Sequence, residues 1–411
     1  MSALIEKLIP ESLPDEPGEF GPLRRKALKV LMQHGFPHRK VENWKYTPLG
    51  LLESRAFENA TGPSEAPWPE LPALPFEASV LHLHDGLLDP ARCRLPAGVT
   101  LEALAPADVD LSGMDDGSPA DAFAWLNLAR LQQGWRICVD DHARLERPLL
   151  LMLTCGEDFD RVAHPRLKLE LGVGAEATLI EWQQGQGSGL INSVLDIELG
   201  ASSRLLHLID RHSEETALIE RTTVNVNAES SYSGFILDGG GRLTRQDLNV
   251  NLNAANAHGA VCGVAVLDGR SLVDYHTAFE HRVGPSTSSE DFRILADDQS
   301  VGVFNGRIHI LPGADDSHSE MNTGNMLLSR GARINTKPEL EIHAEEVTAS
   351  HGATIGQIDD EARFYLRSRG LSDAQAISLL KFGFAAAAFD SLEPGPPGQW
   401  LTDQLKERLS W

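Results

Sequence analysis

Cysteine is scarce in this chain of 411 residues. Cys93, Cys138, Cys155 and Cys262 are the only four, and even the nearest two, Cys138 and Cys155, stand far apart. No CxxC pair exists, which excludes the local thiolate pairs of zinc sites and thioredoxin-like redox centres. Scattered thiols of this kind are expected to be buried side chains rather than ligands. Positive charge is also short: 36 Lys and Arg against 59 Asp and Glu leave a net charge of −23, so no broad surface for nucleic-acid phosphates is expected. No apolar run approaches the roughly 20 residues of a membrane span. The longest candidate, around Leu379–Phe389, contains Lys381. The opening stretch MSALIEKLIPESLPDEPGEF has acids and prolines where a secretory signal needs a basic start and an apolar run. The expectation is a cytoplasmic protein that uses neither membrane nor nucleic acid. With 42% apolar and 23% charged residues, the chain has the composition of a folded globular protein.

Catalytic signatures are missing as well. There is no GxxxxGK[ST] phosphate loop, no HExxH zinc pair, no GxSxG nucleophile elbow and no GxGxxG opening a helix after a strand. The run Gly239-Gly240-Gly241 follows Asp238 and leads into Arg242 and Arg245, which suits a tight turn better than a phosphate cradle. Any nucleotide chemistry is therefore expected from a partner.

Three regions differ in pattern. Residues 1–134 read as helical and irregular. Pro22 suits a first helical position, Leu23, Ala27, Leu28 and Leu31 share a stripe, and Gly35 with Pro37 supplies a stop. A second helix is expected from about Asp121 to Gln133, with Phe123, Leu126 and Leu131 apolar and Gly134 at its C-terminal cap. Between them Pro63, Pro67, Pro69, Pro72 and Pro75 punctuate a stretch that regular structure cannot accommodate. Residues 135–358 alternate apolar and polar side chains between Gly, Asn, Asp and Ser, the pattern of an all-β region. In residues 359–411 the helical period returns. Ser372 or Asp373 can cap a helix carrying Ala376, Ile377, Leu379, Leu380 and Phe384. Asp390 to Gly398 then break it before a last short helix with Trp400, Leu401, Leu405 and Leu409.

The β region contains a repeat. Leu171-Gly172-Val173-Gly174-Ala175, Ile197-Glu198-Leu199-Gly200-Ala201, Val224-Asn225-Val226-Asn227-Ala228 and Val250-Asn251-Leu252-Asn253-Ala254 share one template. Their terminal alanines recur at a nearly constant step of about 26 residues, a length typical of solenoid repeats. Ala332 follows three such steps beyond Ala254, although the intermediate positions near 280 and 306 fit poorly. A strand pair per step, stacked at the ~4.8 Å interstrand spacing, gives a β-helix rather than a sandwich of short strands. Asn225 should then stack over Asn251, and Asn227 over Asn253. A polar cap is expected at the solenoid's end, because a terminal rung cannot bury both faces.

The densest polar constellation runs from His309 through Asp315, Asp316 and His318 to Glu341, His343 and Ser350-His351-Gly352. Imidazole and carboxylate suit iron or zinc, and a β-helix can align such groups from successive rungs. For His309, His318 and His343 the solvated or hydrogen-bonded side chain is the stronger reading, and Asp315, Asp316 and His318 look like a turn. Arg367 and Arg369 suit either an acidic partner surface or the carbonyls of a helix end.

The stretch NMLLSRGARINTKPELEIHAEEVTASHGATIGQIDDEARFYLRSRGLSDAQAISLLKFGF, from Asn325 to Phe384, closely resembles the C-terminal half of the SufB/SufD family of iron–sulfur cluster assembly proteins. The early Glu42-Asn43-Trp44-Lys45-Tyr46-Thr47-Pro48-Leu49 and the helix before Gly134 look like that family's SufD branch. The resemblance implies a right-handed parallel β-helix core with helical regions at both ends. It further implies a non-catalytic scaffold subunit in a complex with SufB and the ATPase SufC, supporting ATP-driven cluster assembly. No cofactor would be held tightly by this chain alone; iron or a cluster would be transient in the complex. The histidine of the SHGAT motif, here His351, would lie at the SufB interface as a candidate iron or cluster ligand. Many relatives carry a cysteine two residues before it where this chain has Ala349, which leaves imidazole as the ligand type. The helix around Ser372–Phe389, with Ala376, Ile377, Leu380 and Phe384, would be the SufC docking region. An isolated chain could instead form a homodimer over the surface SufB would cover. The repeat by itself also admits a β-helix enzyme acting on polysaccharide, but the missing secretion signal and disulfides count against an extracellular substrate.

Overall fold

The computed structural model describes residues 3–9, 18–57, 68–156 and 159–410. Pro63 and Pro67 lie outside the described residues, and 68–78, with Pro69, Pro72 and Pro75, is irregular as expected.

The chain is a parallel β-solenoid of about eight turns with helices at both ends of the sequence. The strands form two ten-stranded sheets, and from Arg166–Leu171 onward successive strands alternate between them. The first sheet runs from Leu87–Leu88 and Ser79–His84 to Ser317–Leu327 and Val347–Gly356, and the second from Val99–Ala103 and Trp135–Val139 to Val301–Ile310 and Arg333–Ile342. Pairing is parallel except where Leu87–Leu88 and Val99–Ala103 meet their neighbours. Ser79–His84 pairs with Leu149–Cys155, so β structure begins well before residue 135, inside the segment whose prolines suggest only helix and irregular chain.

Period-2 alternation sets which side chains enter the lumen. In Ala217–Val226, Glu220, Thr222, Val224 and Val226 point in, while Arg221, Thr223 and Asn225 point out. Equivalent inward positions stack into columns. Leu169, Ile197, Val224, Val250, Phe279, Ile308 and Leu340 are successive register partners, and all but Leu340 are at most 1% exposed. Burying each such side chain is worth roughly 1.5–3 kcal/mol, so a one-residue slip, which turns every side chain to the opposite face, is strongly opposed.

The register corrects the repeat. Along that column the step is not constant: it is shortest from Val224 to Val250 and longest from Ile308 to Leu340. Leu171, not Val173, aligns with Leu199, so the first copy of the template is displaced by two positions. Ala332 precedes Arg333–Ile342, at the opposite end of a rung from Ala254, which follows Thr244–Leu252. Its spacing of three template steps is a coincidence. Interstrand hydrogen bonds hold the strands in register while the turns change length, so a fixed period fails after residue 254. Asn225 does stack on Asn251, whose Nδ2 donates to Asn225 Oδ1 at 2.8 Å. Asn253 Nδ2 reaches that same oxygen at 3.4 Å, and Asn227 instead donates to the Leu199 carbonyl at 2.8 Å.

The helices cover the flanks. Helices α1 (Ala3–Leu8), α2 (Gly21–His34), α3 (Gly50–Ser54) and α4 (Ala122–Arg130) pack on the outer face of the second sheet, over Leu190, Ala217, Ile219 and Leu243. Helix α2 starts and stops as its sequence indicates, with Pro22 in the first turn and the Gly35 N–H donating to Leu31 O at a φ of 72°. Helix α4 ends short of Gln133: Leu131 is already non-helical, and Gly134 packs beneath Leu104, whose Cδ2 would lie 2.8 Å from an added Cβ. Gly134 therefore serves a close approach, not a cap. Helices α5 (Asp360–Ser368), α6 (Asp373–Ala386) and α7 (Pro396–Arg408) follow the last strand. Ser372 and Gln375 form a capping box for α6. Helix α7 begins at Pro396, within the stretch expected to be a break, because proline is tolerated in a first helical turn. The end of α6 and α7 lie along the outer face of the first sheet, against Leu150, Met152, Leu208, Phe235 and Leu295.

Candidate functional site at the open end of the solenoid

The two ends of the solenoid differ. At the N-terminal end the segment from Leu88 to Val99 crosses between the sheets, burying both residues in the core with Cys93 and Leu95 packed beside them. At the other end Arg333–Ile342 and Val347–Gly356 each have a sheet neighbour on one side only. None of their residues is buried, and no helix among the described residues fills the rung. The expected polar cap is absent among the described residues. Such edges present unpaired backbone donors and acceptors to whatever pairs with them.

The exposed side chains of this rung include core-type groups. Ile334, Leu340, Val347 and Ala349 pack on the hydrophobic core from one side. By alternation Ile342 and Ile355 share their inward face, yet they are 41% and 51% exposed. His351 belongs to the same series, next after Ala349 on that face and in register with the buried Met321. Its imidazole is exposed because no further rung among the described residues covers it.

The other histidines are placed elsewhere. His309 and His343 come together with Glu341 on the outer face of the second sheet. His318 lies on the outer face of the first sheet, 3.3 Å from Glu320. Asp315 and Asp316 occupy the turn before it: Asp315 accepts from the Glu345 N–H at 3.0 Å, and Asp316 has a φ of 57°. The structure thus separates the constellation into three surfaces.

The thiols are removed from this chemistry. Burial raises the Cys93, Cys138 and Cys155 thiols above their ordinary value and pushes Cys262 up to about 11. Cys262 aligns with Gly352 three strands on, but points outward toward Ser391. On the inward face of the last rung's two strands, His351 is the one imidazole.

Sequence reasoning missed a polar network inside the lumen. Glu181 Oε1 meets His207 Nε2 at 2.7 Å, and His207 Nδ1 meets the Tyr232 hydroxyl at 3.0 Å. Gln183 Nε2 donates to Glu220 at 2.8 Å, and the buried Arg211 pairs with Glu220. These groups sit at inward positions of strands that otherwise alternate cleanly, which is the signal that could have revealed them. They are sealed and mutually partnered, so they hold the fold rather than meet a substrate.

Among the α6 residues, Ala376 is fully buried, whereas Ile377, Leu380 and Phe384 are half-buried. Phe384 lies under the Arg293 guanidinium, 5.4 Å from ring centroid to cation. The most exposed apolar side chains nearby are Phe364 and Tyr365 of α5, at 72% and 56%. Arg367 lies 3.5 Å from Asp373, and Arg369 stacks on Tyr365 at 5.1 Å while its N–H closes the helix end.

A helix-flanked β-solenoid with one open rung presents unpaired strand edges at its surface. The family model for the SUF system FeS cluster assembly SufBD core domain matches residues 153–384. The iron-sulfur cluster assembly protein SufD of Escherichia coli K12 is 31% identical over 400 residues, spanning 94% of this chain and 93% of that protein. A SufBD family protein of Synechocystis is 27% identical over 90% of this chain and 86% of its own length. SufD of Bacillus subtilis is 29% identical over 152 residues, 36% of this chain and 34% of that protein. The chain belongs to the SufB/SufD family of iron–sulfur cluster assembly proteins. No helix among the described residues is long and apolar enough to cross a membrane.

Proposed function

We propose that the chain is a non-catalytic scaffold subunit that works in the cytoplasm with SufB and the ATPase SufC in iron–sulfur cluster assembly. The observation that carries this reading is the last rung, unfilled among the described residues, where Ile342, Ile355 and the His351 imidazole are all exposed. A β-edge of this kind is completed by pairing with another edge, and the partner would be SufB. His351 would then lie within the joint, where its nitrogen can ligate iron as cargo while SufB supplies further ligands. Helices α5 and α6, with Phe364, Tyr365, Ile377, Leu380 and Phe384 at least partly accessible, would receive SufC, the source of the nucleotide motif this chain lacks.

Co-expression of the three proteins tests the reading. The expected result is one complex containing all three, in which His351→Ala leaves assembly intact and lowers the cluster formed. A chain that stays monomeric alongside both partners overturns it. Wild-type cluster yield from the His351→Ala complex would reduce that imidazole to a structural side chain.

A further inference from the structure

On the outer face of the second sheet, three consecutive strands place Glu280, His309 and Glu341 in line as register partners. His343 follows the last strand immediately. The ligand atoms of His309, Glu341 and His343 lie within 4.8 Å of one another. Glu341 Oε1 is 3.1 Å from His343 Nε2 and 3.7 Å from His309 Nε2. With metal–ligand bonds of roughly 2.0–2.2 Å, the edges of a tetrahedral site are about 3.3–3.6 Å, so the two edges that Glu341 makes with the histidines are already near that spacing.

The surroundings orient these ligands. Glu280 Oε2 lies 3.3 Å from His309 Nδ1. A proton held there leaves the Nε2 lone pair facing Glu341, the carboxylate–histidine arrangement that supports metal-bound imidazoles. Arg307 donates to Glu341 Oε2 at 2.8 Å, which leaves Oε1 for the histidines. Arg307 also stands 3.3 Å from His309 Nδ1, and Arg282 pairs with Glu280; the two carboxylates offset these two cations. His309 is 17% exposed, and Glu341 and His343 are about half exposed, so an ion can enter from solvent and keep water on its remaining positions.

We infer that His309, Glu341 and His343 form a binding site for one divalent transition-metal ion of the zinc or iron(II) class, with Glu280 as the positioning residue of His309. Two imidazoles and one carboxylate select such ions over magnesium or calcium, which prefer all-oxygen sets. The site is separate from the His351 face and does not rest on the assembly role. Its ligands come from the last rung and the one before, so a bound ion also ties the open rung to its neighbour.

The test uses the full chain with Zn²⁺ in calorimetry and Co²⁺ in visible absorption. One equivalent of either ion is expected, with an intense Co²⁺ band of low coordination number. His309→Ala, His343→Ala and Glu341→Gln should each weaken binding at least tenfold, while His318→Ala leaves it unchanged. Zn²⁺ should also slow amide exchange across 333–342. All three ligands lie at the surface, so the variants are expected to melt as the wild type does. Unchanged affinity in the His309→Ala/His343→Ala double variant, or loss of the ion with His351→Ala instead, overturns the assignment.

Discussion

Thr277 donates its hydroxyl to Glu290 across the solenoid lumen, joining the two sheets through side chains close together in sequence. It is the carboxyl group's one hydrogen bond among the described residues, since Glu290 Oε1 has no partner there. Burial therefore pushes Glu290 up to about 8, against the opposing effect of Thr277.

A stability profile follows. An acid whose folded value is raised favours the folded state fully below its unfolded value of 4.5 and loses that contribution as pH rises toward about 8. The slope within that window is at most about 1.4 kcal/mol per pH unit. Glu290→Gln keeps a neutral group of the same shape, so denaturant titration should show it more stable than wild type at pH 8 and nearly equal at pH 4.5. Equal stabilities at both pH values would show that the carboxyl is not held neutral.

Trp44 and Asp274 make a second testable pair. The Arg245 guanidinium lies 3.9 Å over the Trp44 ring, bonds Asp274 at 2.6 Å and donates to Asn43 O at 2.8 Å, while Thr47 donates to Asp274. The motif Asn43-Trp44-Lys45-Tyr46-Thr47 is thereby clasped to the solenoid. Trp44→Ala should cost about 3–5 kcal/mol in equilibrium unfolding. Burial alone would raise Asp274, but His276 and Arg245 more than reverse it and hold it at about 2. Its contribution, about 2 kcal/mol, is present above pH 3.8 and is lost as pH falls through about 2. Asp274→Asn should flatten that acid limb.

Ile355→Asp probes the open rung. The side chain is half exposed in the isolated chain, so the melting temperature should stay within a few degrees of wild type. Association through this end should fall at least tenfold in co-purification or sedimentation, because a partner's strand would bury an unpaired carboxylate. Undiminished association would move the joint elsewhere.

Much of this architecture is readable in the sequence. Pro22 and Gly35 mark α2, and Ser372 marks α6, because caps are local chemistry. The solenoid shows through Ile197, Val224 and Val250, whose rungs are nearly equal in length. It fades beyond residue 254 because turns can lengthen without disturbing the strand register. The strand Ser79–His84 escapes because its partner, Leu149–Cys155, lies far along the chain, beyond α4. The sequence marks His309, Glu341 and His343 as one polar constellation but not their juxtaposition: His309 and Glu341 are register partners, but their separation exceeds the template's step, so the template does not bring them together. His351 is found through motif resemblance, yet its inward direction over Met321 needs the register.

The C-terminal helices return along the solenoid instead of sealing it. Arg408 reaches Asp210 in mid-solenoid, and Trp400 and Leu401 are buried with Leu208 and Phe235. The chain therefore leaves its last rung and doubles back beside its own earlier turns. One consequence is an arithmetic of faces: a molecule seated on the terminal rung and another seated on the returning helices would occupy different sides of the rod. Neither need be displaced for the other to arrive, so the order of arrival is left free.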